Sequence, residues 1–217
     1  MDLTKIPDFL LKNHGLYFRD FIWRHDVTPY RIMIAEFMLQ RTNAYQVESI
    51  YSKFVNKYPD IIALSNAKEL DIKTFTQHIG LHWRYKHFIQ SACYIVEHYD
   101  SALPQDRIKL LEIPGVGNYV AGVLLTVCFN KQEFVVDSNI ARFINRYRGY
   151  LLTGEIRRSK SVIQSSKEMF INSINPGLFL FALLDFTALI CKSKKPLCKN
   201  CILSLYCRSR SPCGSVD

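Results

Sequence analysis

The chain has 217 residues, 48% of them hydrophobic, which suffices for one large domain or two small ones with a buried core and no help from disulfides. No charged-then-apolar leader opens it, and no apolar run reaches the roughly 18 to 20 residues of a membrane span, so the composition predicts a soluble, intracellular protein. The formal charge of +9 is localised: residues 1–140 carry 15 Lys/Arg against 15 Asp/Glu, which leaves 13 against 4 in residues 141–217.

Apolar residues recur at three- and four-residue spacing through most of the chain, and alternating patterns are scarce, so the expected fold class is all-α. In "VTPYRIMIAEFMLQRT", Thr28 is the expected N-cap. Pro29 then occupies the first helical position, where its missing N–H costs nothing. Further helices are expected at about 43–58, 67–77, 84–99, 106–112 and from Asn118 to about Phe129, with "SKFVNKYPD" and "IGLHWR" as connections. "FVVDSNIARFINRY" reads as a short extended piece leading into a helix. Two or three more helices follow, including "PGLFLFALLDFTALIC", before a run of cysteines.

Several residues could carry chemistry. In "LLEIPGVGNYVAGVL", Pro114 stops one helix, and Gly115 and Gly117 permit backbone conformations and close approaches that a Cβ would block. The first amides of the next helix have no intrahelical partner and carry partial positive charge, so this turn can offer N–H groups to a phosphate. An ordinary tight turn between packed helices is the alternative. Asp137 stands where an N-cap belongs, and a carboxylate fixed at a helix start can also face a cleft. Glu36 lies on a helix with no polar face, so it is expected to be buried or to line a cavity. It is there either as a protonated acid or as a core Glu paired with an Arg. Cys191, Cys198, Cys201 and Cys207 are spaced C-x6-C-x2-C-x5-C. With no secretion signal and an odd cysteine total, they point to zinc or to an iron–sulfur cluster rather than to disulfides. Cys93 and Cys128 are expected in the core and Cys213 in a free tail. The six histidines, including His14, His78 and His82, show no metal spacing and are assigned no role. The localised basic charge suits a polyanion. Its scatter among helices and cysteines, rather than along one amphipathic stripe, favours nucleic acid over a membrane surface.

Taken in order, "IPGVGNYVAGVL", "VVDSN" and the cysteine run resemble the helix–hairpin–helix DNA glycosylases of the endonuclease III type, over nearly the whole chain. The resemblance implies a two-lobed helical fold: residues 1–22 and 134–217 form one lobe holding a [4Fe-4S] cluster on the four cysteines, and residues 23–133 form a six-helix bundle with the hairpin. It implies double-stranded DNA in the cleft between the lobes, with a mismatched or damaged nucleotide flipped out. Asp137 would be the catalytic aspartate, assisted by Glu36 and Tyr119. Gly115, Val116 and Gly117 would hold a phosphate, Gln40 and Arg41 would fill the gap left by the flipped base, and Lys192, Lys194 and Lys195 would approach the backbone. Bifunctional members place a lysine where Tyr119 stands, and tyrosine cannot form their Schiff base. The expected activity is therefore monofunctional, most similar to the glycosylases that remove thymine, and with it uracil, opposite guanine. The protein would act as a monomer in the cytoplasm, on DNA and not on membranes. Alternatives are an adenine glycosylase acting on A:G or A:8-oxoguanine, and a catalytically silent damage-binding module.

Overall fold

A computed structural model describes residues 2–40, 42–77, 80 and 85–209. Arg41, His78, His82, Cys213 and most of the "IGLHWR" connection lie outside the described residues. Among the described residues the regular structure is helical throughout. In chain order the α-helices are α1 Ile6–Lys12, α2 Pro29–Leu39, α3 Ala44–Lys57, α4 Ile61–Ser65, α5 Glu69–Gln77, α6 Tyr85–His98, α7 Arg107–Glu112, α8 Asn118–Val123, α9 Ser138–Arg148, α10 Lys160–Phe170 and α11 Pro176–Leu189. No helix among the described residues is long and apolar enough to cross a membrane. The chain divides into two compact units, Met1–Arg19 with Asn130–Asp217, and Asp20–Phe129.

In the Asp20–Phe129 unit, helix α2 begins as its sequence dictates. Thr28 Oγ1 accepts from the Arg31 N–H at 3.2 Å, and Pro29 opens the helix. Its residues Ile32 to Met38 are all buried, as expected of a helix that is apolar on every side. Phe37 meets Phe88 of α6 edge-on, and Phe54 of α3 packs on Phe88, Phe75 and Tyr58, forming an aromatic core. Two local expectations are corrected. Asp60 caps an additional short helix, α4, by accepting from the Ala63 N–H at 2.7 Å, and this helix packs against α6. Cys93, expected in the core, is exposed. The buried face of α6 is set by Phe88, Ser91, Ala92 and Ile95, and position 93 falls off that stripe.

In the other unit the N-terminal segment packs on α10 and α11 and is tied to α11 by a buried carboxylate. Asp185 of α11 is fully buried. It accepts from Arg19 Nε at 2.6 Å and the Arg19 N–H at 3.1 Å, and pairs with His14 Nε2 at 3.2 Å. A buried carboxylate must be neutralised and fully bonded to be tolerated, so this set of partners fixes where residues 14–19 lie on α11. His14, assigned no role from its spacing, is thus a structural ligand of Asp185.

Candidate functional site

In the Asp20–Phe129 unit the hairpin joins α7 to α8. Arg107 at the start of α7 donates through Nη1 to the Asn118 carbonyl at 3.2 Å, which clamps the two helices together. The turn closes through the Val116 N–H to the Ile113 carbonyl at 3.0 Å. Val116 itself is buried, so a ligand of this turn meets its backbone. The two glycines do different work. Gly115 has φ +83°, and a Cβ there would stand 2.9 Å from His87 Cβ and 3.2 Å from Phe37 Cζ. Gly117 is extended, with φ −99° and ψ 179°, and a Cβ would meet nothing within 4 Å. Gly115 therefore meets both expectations, a backbone conformation and a close approach that a Cβ would block, whereas neither its conformation nor its protein neighbours require glycine at 117. The exposed Gly117 is the N-cap of α8 and brings no capping side chain, leaving the first-turn amides without an intrahelical partner. We expect Gly115→Ala to destabilise the unit by about 1–3 kcal/mol, through left-handed strain plus the clash. Gly117→Ala should leave the melting temperature nearly unchanged, as read by thermal denaturation of the two variants beside the wild type.

Glu36 is buried in α2 at 6% exposure. Beyond α8 the chain widens into a π-helical turn, Leu124–Cys128, so the single helix expected to about Phe129 changes its winding midway. Such turns recur at functional sites because they re-aim side chains. This one packs against α2. Cys128 stands near enough to Glu36 to feel its charge, and burial followed by that charge pushes the thiol up to about 12. The thiol is therefore neutral at physiological pH. Tyr119, half-buried, lies in the first turn of α8. Gln40 ends α2 in extended conformation, half-exposed.

In the other unit Asp137 is the N-cap of α9. Its Oδ1 accepts from the Ile140 N–H at 2.6 Å and its Oδ2 from Asn139 Nδ2 at 3.0 Å. Burial pushes its pKa above the ordinary aspartate value of 3.8, against the pull of those bonds and of Arg142. From Asp137 a chain of hydrogen bonds runs along α9. Asn139 Oδ1 accepts from Arg142 Nη1 at 2.9 Å. Arg142 also donates through Nε and Nη2 to the Cys191 carbonyl at 3.2 and 2.9 Å, and through Nη2 to the Thr187 carbonyl at 3.0 Å. The carboxylate and the first cysteine of the run are thus tied to one guanidinium. Sequence reasoning missed Asn139 and Arg142. Their only local signal is the i, i+3 spacing of complementary polar side chains on one helix face.

Cys191, Cys198, Cys201 and Cys207 all line a cavity of about 230 Å³ enclosed by Phe143, Phe186, Ile190 and Leu203. Burial pushes the Cys201 thiol up to about 11 and raises that of Cys207. A single tetrahedral zinc, with Zn–S about 2.3 Å, would draw four sulfurs to about 3.8 Å of one another. Among the described residues no group of three or more such donors is arranged to hold one ion. Four thiols around one cavity are a donor set of the kind that an iron–sulfur cluster takes. Lys192, Lys194 and Lys195 are exposed on the loop between the first two cysteines.

Among the described residues the fold is all-helical, in two compact units. Residues 34–169 match the family model described as the HhH-GPD superfamily base excision DNA repair protein, and the chain belongs to that family. A thymine-DNA glycosylase of Aeropyrum pernix is 31% identical over 87% of this chain and 86% of its own length. A thymine/uracil-DNA glycosylase of Methanothermobacter thermautotrophicus is 32% identical over 91% of this chain and 89% of its own. Among solved structures, that of a thermostable thymine-DNA glycosylase superposes with a TM-score of 0.85 at 31% identity, covering 94% of each chain.

Proposed function

We propose that this protein is a monofunctional DNA glycosylase of base excision repair that removes thymine, and with it uracil, mispaired with guanine. It acts as a monomer on cytoplasmic double-stranded DNA. The observation that carries the reading is Tyr119 in the first turn after the hairpin, in a chain that is 31 to 32% identical to thymine-DNA and thymine/uracil-DNA glycosylases over most of its length.

Each residue then has a role that its chemistry supports. The turn Gly115, Val116 and Gly117 receives a backbone phosphate on the N–H groups from Gly117 onward, the Val116 N–H being engaged by the Ile113 carbonyl. Asp137, held rigid by its cap bonds, stabilises the positive charge growing at C1′ as the glycosidic bond breaks and orients the attacking water. Glu36, buried beside a neutral thiol, donates a hydrogen bond to the departing base when its carboxyl is protonated, which for thymine need not amount to full proton transfer. Tyr119 closes over the sugar and offers no amine to it. Gln40 and Arg41 fill the gap in the duplex, while Lys192, Lys194 and Lys195 bind phosphates. Cys191, Cys198, Cys201 and Cys207 ligate a [4Fe-4S] cluster that, when bound, cross-links and stiffens the loop bearing those lysines.

The test is one assay on duplexes holding G:T, G:U, A:G or A:8-oxoguanine, with and without alkali. Base release from G:T and G:U, with strand breaks appearing only after alkali, is the expected result. Release confined to A:G and A:8-oxoguanine would make the protein an adenine glycosylase, and binding without release from any duplex would make it a silent recognition module. Tyr119→Lys should introduce strand cleavage without alkali and a borohydride-trapped protein–DNA adduct. Trapping of the wild-type protein would overturn the monofunctional assignment.

A further inference from the structure

Arg146, one turn beyond Arg142 on α9, touches both ends of the cysteine run. Its Nη1 donates to Cys191 Sγ at 3.7 Å and to the Lys192 carbonyl at 2.6 Å, and its Nη2 donates to the Ser193 carbonyl at 2.9 Å. Its own carbonyl accepts from Cys207 Sγ at 3.6 Å, the Ser209 N–H at 3.1 Å and the Gly149 N–H at 3.2 Å. The side chain is half-buried and forms part of the wall of the cysteine-lined cavity.

We propose that Arg146 is the residue that sets the reduction potential of the metal cluster, a role that rests on the cluster reading above. A reduced iron–sulfur centre carries one more negative charge than its oxidised form. A fixed cation with an N–H aimed at a ligating sulfur therefore stabilises the reduced form and raises the potential. The guanidinium does not deprotonate in proteins, so the effect persists across the working pH range. The neighbouring cations compete poorly. Arg142 directs its bonds to the carbonyl of Cys191 rather than to sulfur, and Lys192, Lys194 and Lys195 are exposed, where water and salt screen their charge. Loss of the Cys207 proton on ligation also leaves the Arg146 carbonyl bonded, because the Ser209 and Gly149 amides still donate to it. Arg146 can therefore hold its position in the loaded protein.

The experiment compares wild type, Arg146→Gln and Arg146→Lys as loaded full-length proteins. Iron and acid-labile sulfide per chain are measured first, then the midpoint potential by protein-film voltammetry and the paramagnetic resonance spectrum of the redox-active state. Arg146→Gln should lower the ratio of reduced to oxidised protein at fixed solution potential about tenfold, equivalent to about 59 mV for a one-electron couple. Arg146→Lys should fall between, since it keeps the charge and loses the planar fork. Equal potentials in the three proteins would overturn the assignment. Should the Gln variant lose its cluster, the Lys variant against wild type decides the same question. A wild-type protein devoid of iron and sulfide would instead sink the cluster reading itself.

Discussion

Asp137→Asn will leave the protein folded and able to bind mismatched DNA while slowing base release by about 10²- to 10⁴-fold, the range associated with loss of a positioned catalytic group. The substitution separates the two duties of this side chain. Asn caps a helix as well as Asp does, so its amide oxygen can still accept the Ile140 N–H that Asp137 Oδ1 accepts at 2.6 Å. Asp137→Ala would add a capping loss of about 0.5–2 kcal/mol and blur the reading. Ionisation gives a second signature. The native carboxyl is raised above 3.8 by burial, so the folded state holds this proton more tightly than the unfolded chain. Its contribution to stability is then fully present below the unfolded value and lost as pH rises through the folded one. At neutral pH the charge is a cost, and Asp137→Asn should raise the melting temperature while slowing turnover. Base release by the wild type should fall on acidification with a midpoint above the ordinary aspartate range. A variant with near wild-type single-turnover rates would remove Asp137 from the chemistry, and a lowered melting temperature would show that its charge is stabilising.

Much of this site could be read from the sequence where the signal is local. The Thr28–Pro29 helix start, the cap at Asp137 and the C-x6-C-x2-C-x5-C run each depend on residues close together in the chain, and backbone chemistry there leaves few options. Burial of Glu36 follows as directly from the apolar residues around it in α2. What was not legible depends on partners far away in sequence. Arg142 reads as a solvated face of α9, and nothing local announces that its acceptors lie 45 and 49 positions later. His14 and Asp185 are 171 positions apart, and neither residue type reveals burial without the other. Gly115 and Gly117 look alike in a motif, yet the need for glycine at 115 comes from its positive φ together with His87 and Phe37. The π turn that brings Cys128 beside Glu36 has no periodic signature at all, since one widened turn shifts the register of apolar residues by a single position.

Arg142→Gln should lower both stability and turnover, and the manner of the loss tests whether α9 links the cysteine loop to Asp137. The guanidinium holds the Cys191 and Thr187 carbonyls and the Asn139 side chain, all part-buried. Bonds to a charged donor of this kind contribute about 1.5–3 kcal/mol, and the abandoned acceptors add a desolvation cost. A drop of that order in denaturant unfolding is expected from packing alone and does not discriminate. Turnover does. Asn139 donates to Asp137 Oδ2 at 3.0 Å while accepting from Arg142 at 2.9 Å, so loss of the guanidinium frees the amide to rotate and leaves the carboxylate held by the backbone N–H groups of Ile140 and Asn139 alone. A fall of about 10- to 100-fold in the single-turnover rate, with DNA affinity little changed, is the scale seen when a supporting hydrogen-bond partner is removed. Arg142→Lys should not rescue it, because one ammonium cannot reach acceptors on both sides as the planar fork does. Asn139→Ala should produce a similar fall, and the double variant should be no worse than the more impaired single one, since both changes cut the same relay. Additive losses would mean that Asn139 and Arg142 act on Asp137 independently. A wild-type rate in Arg142→Gln would confine the arginine to holding the cysteine loop.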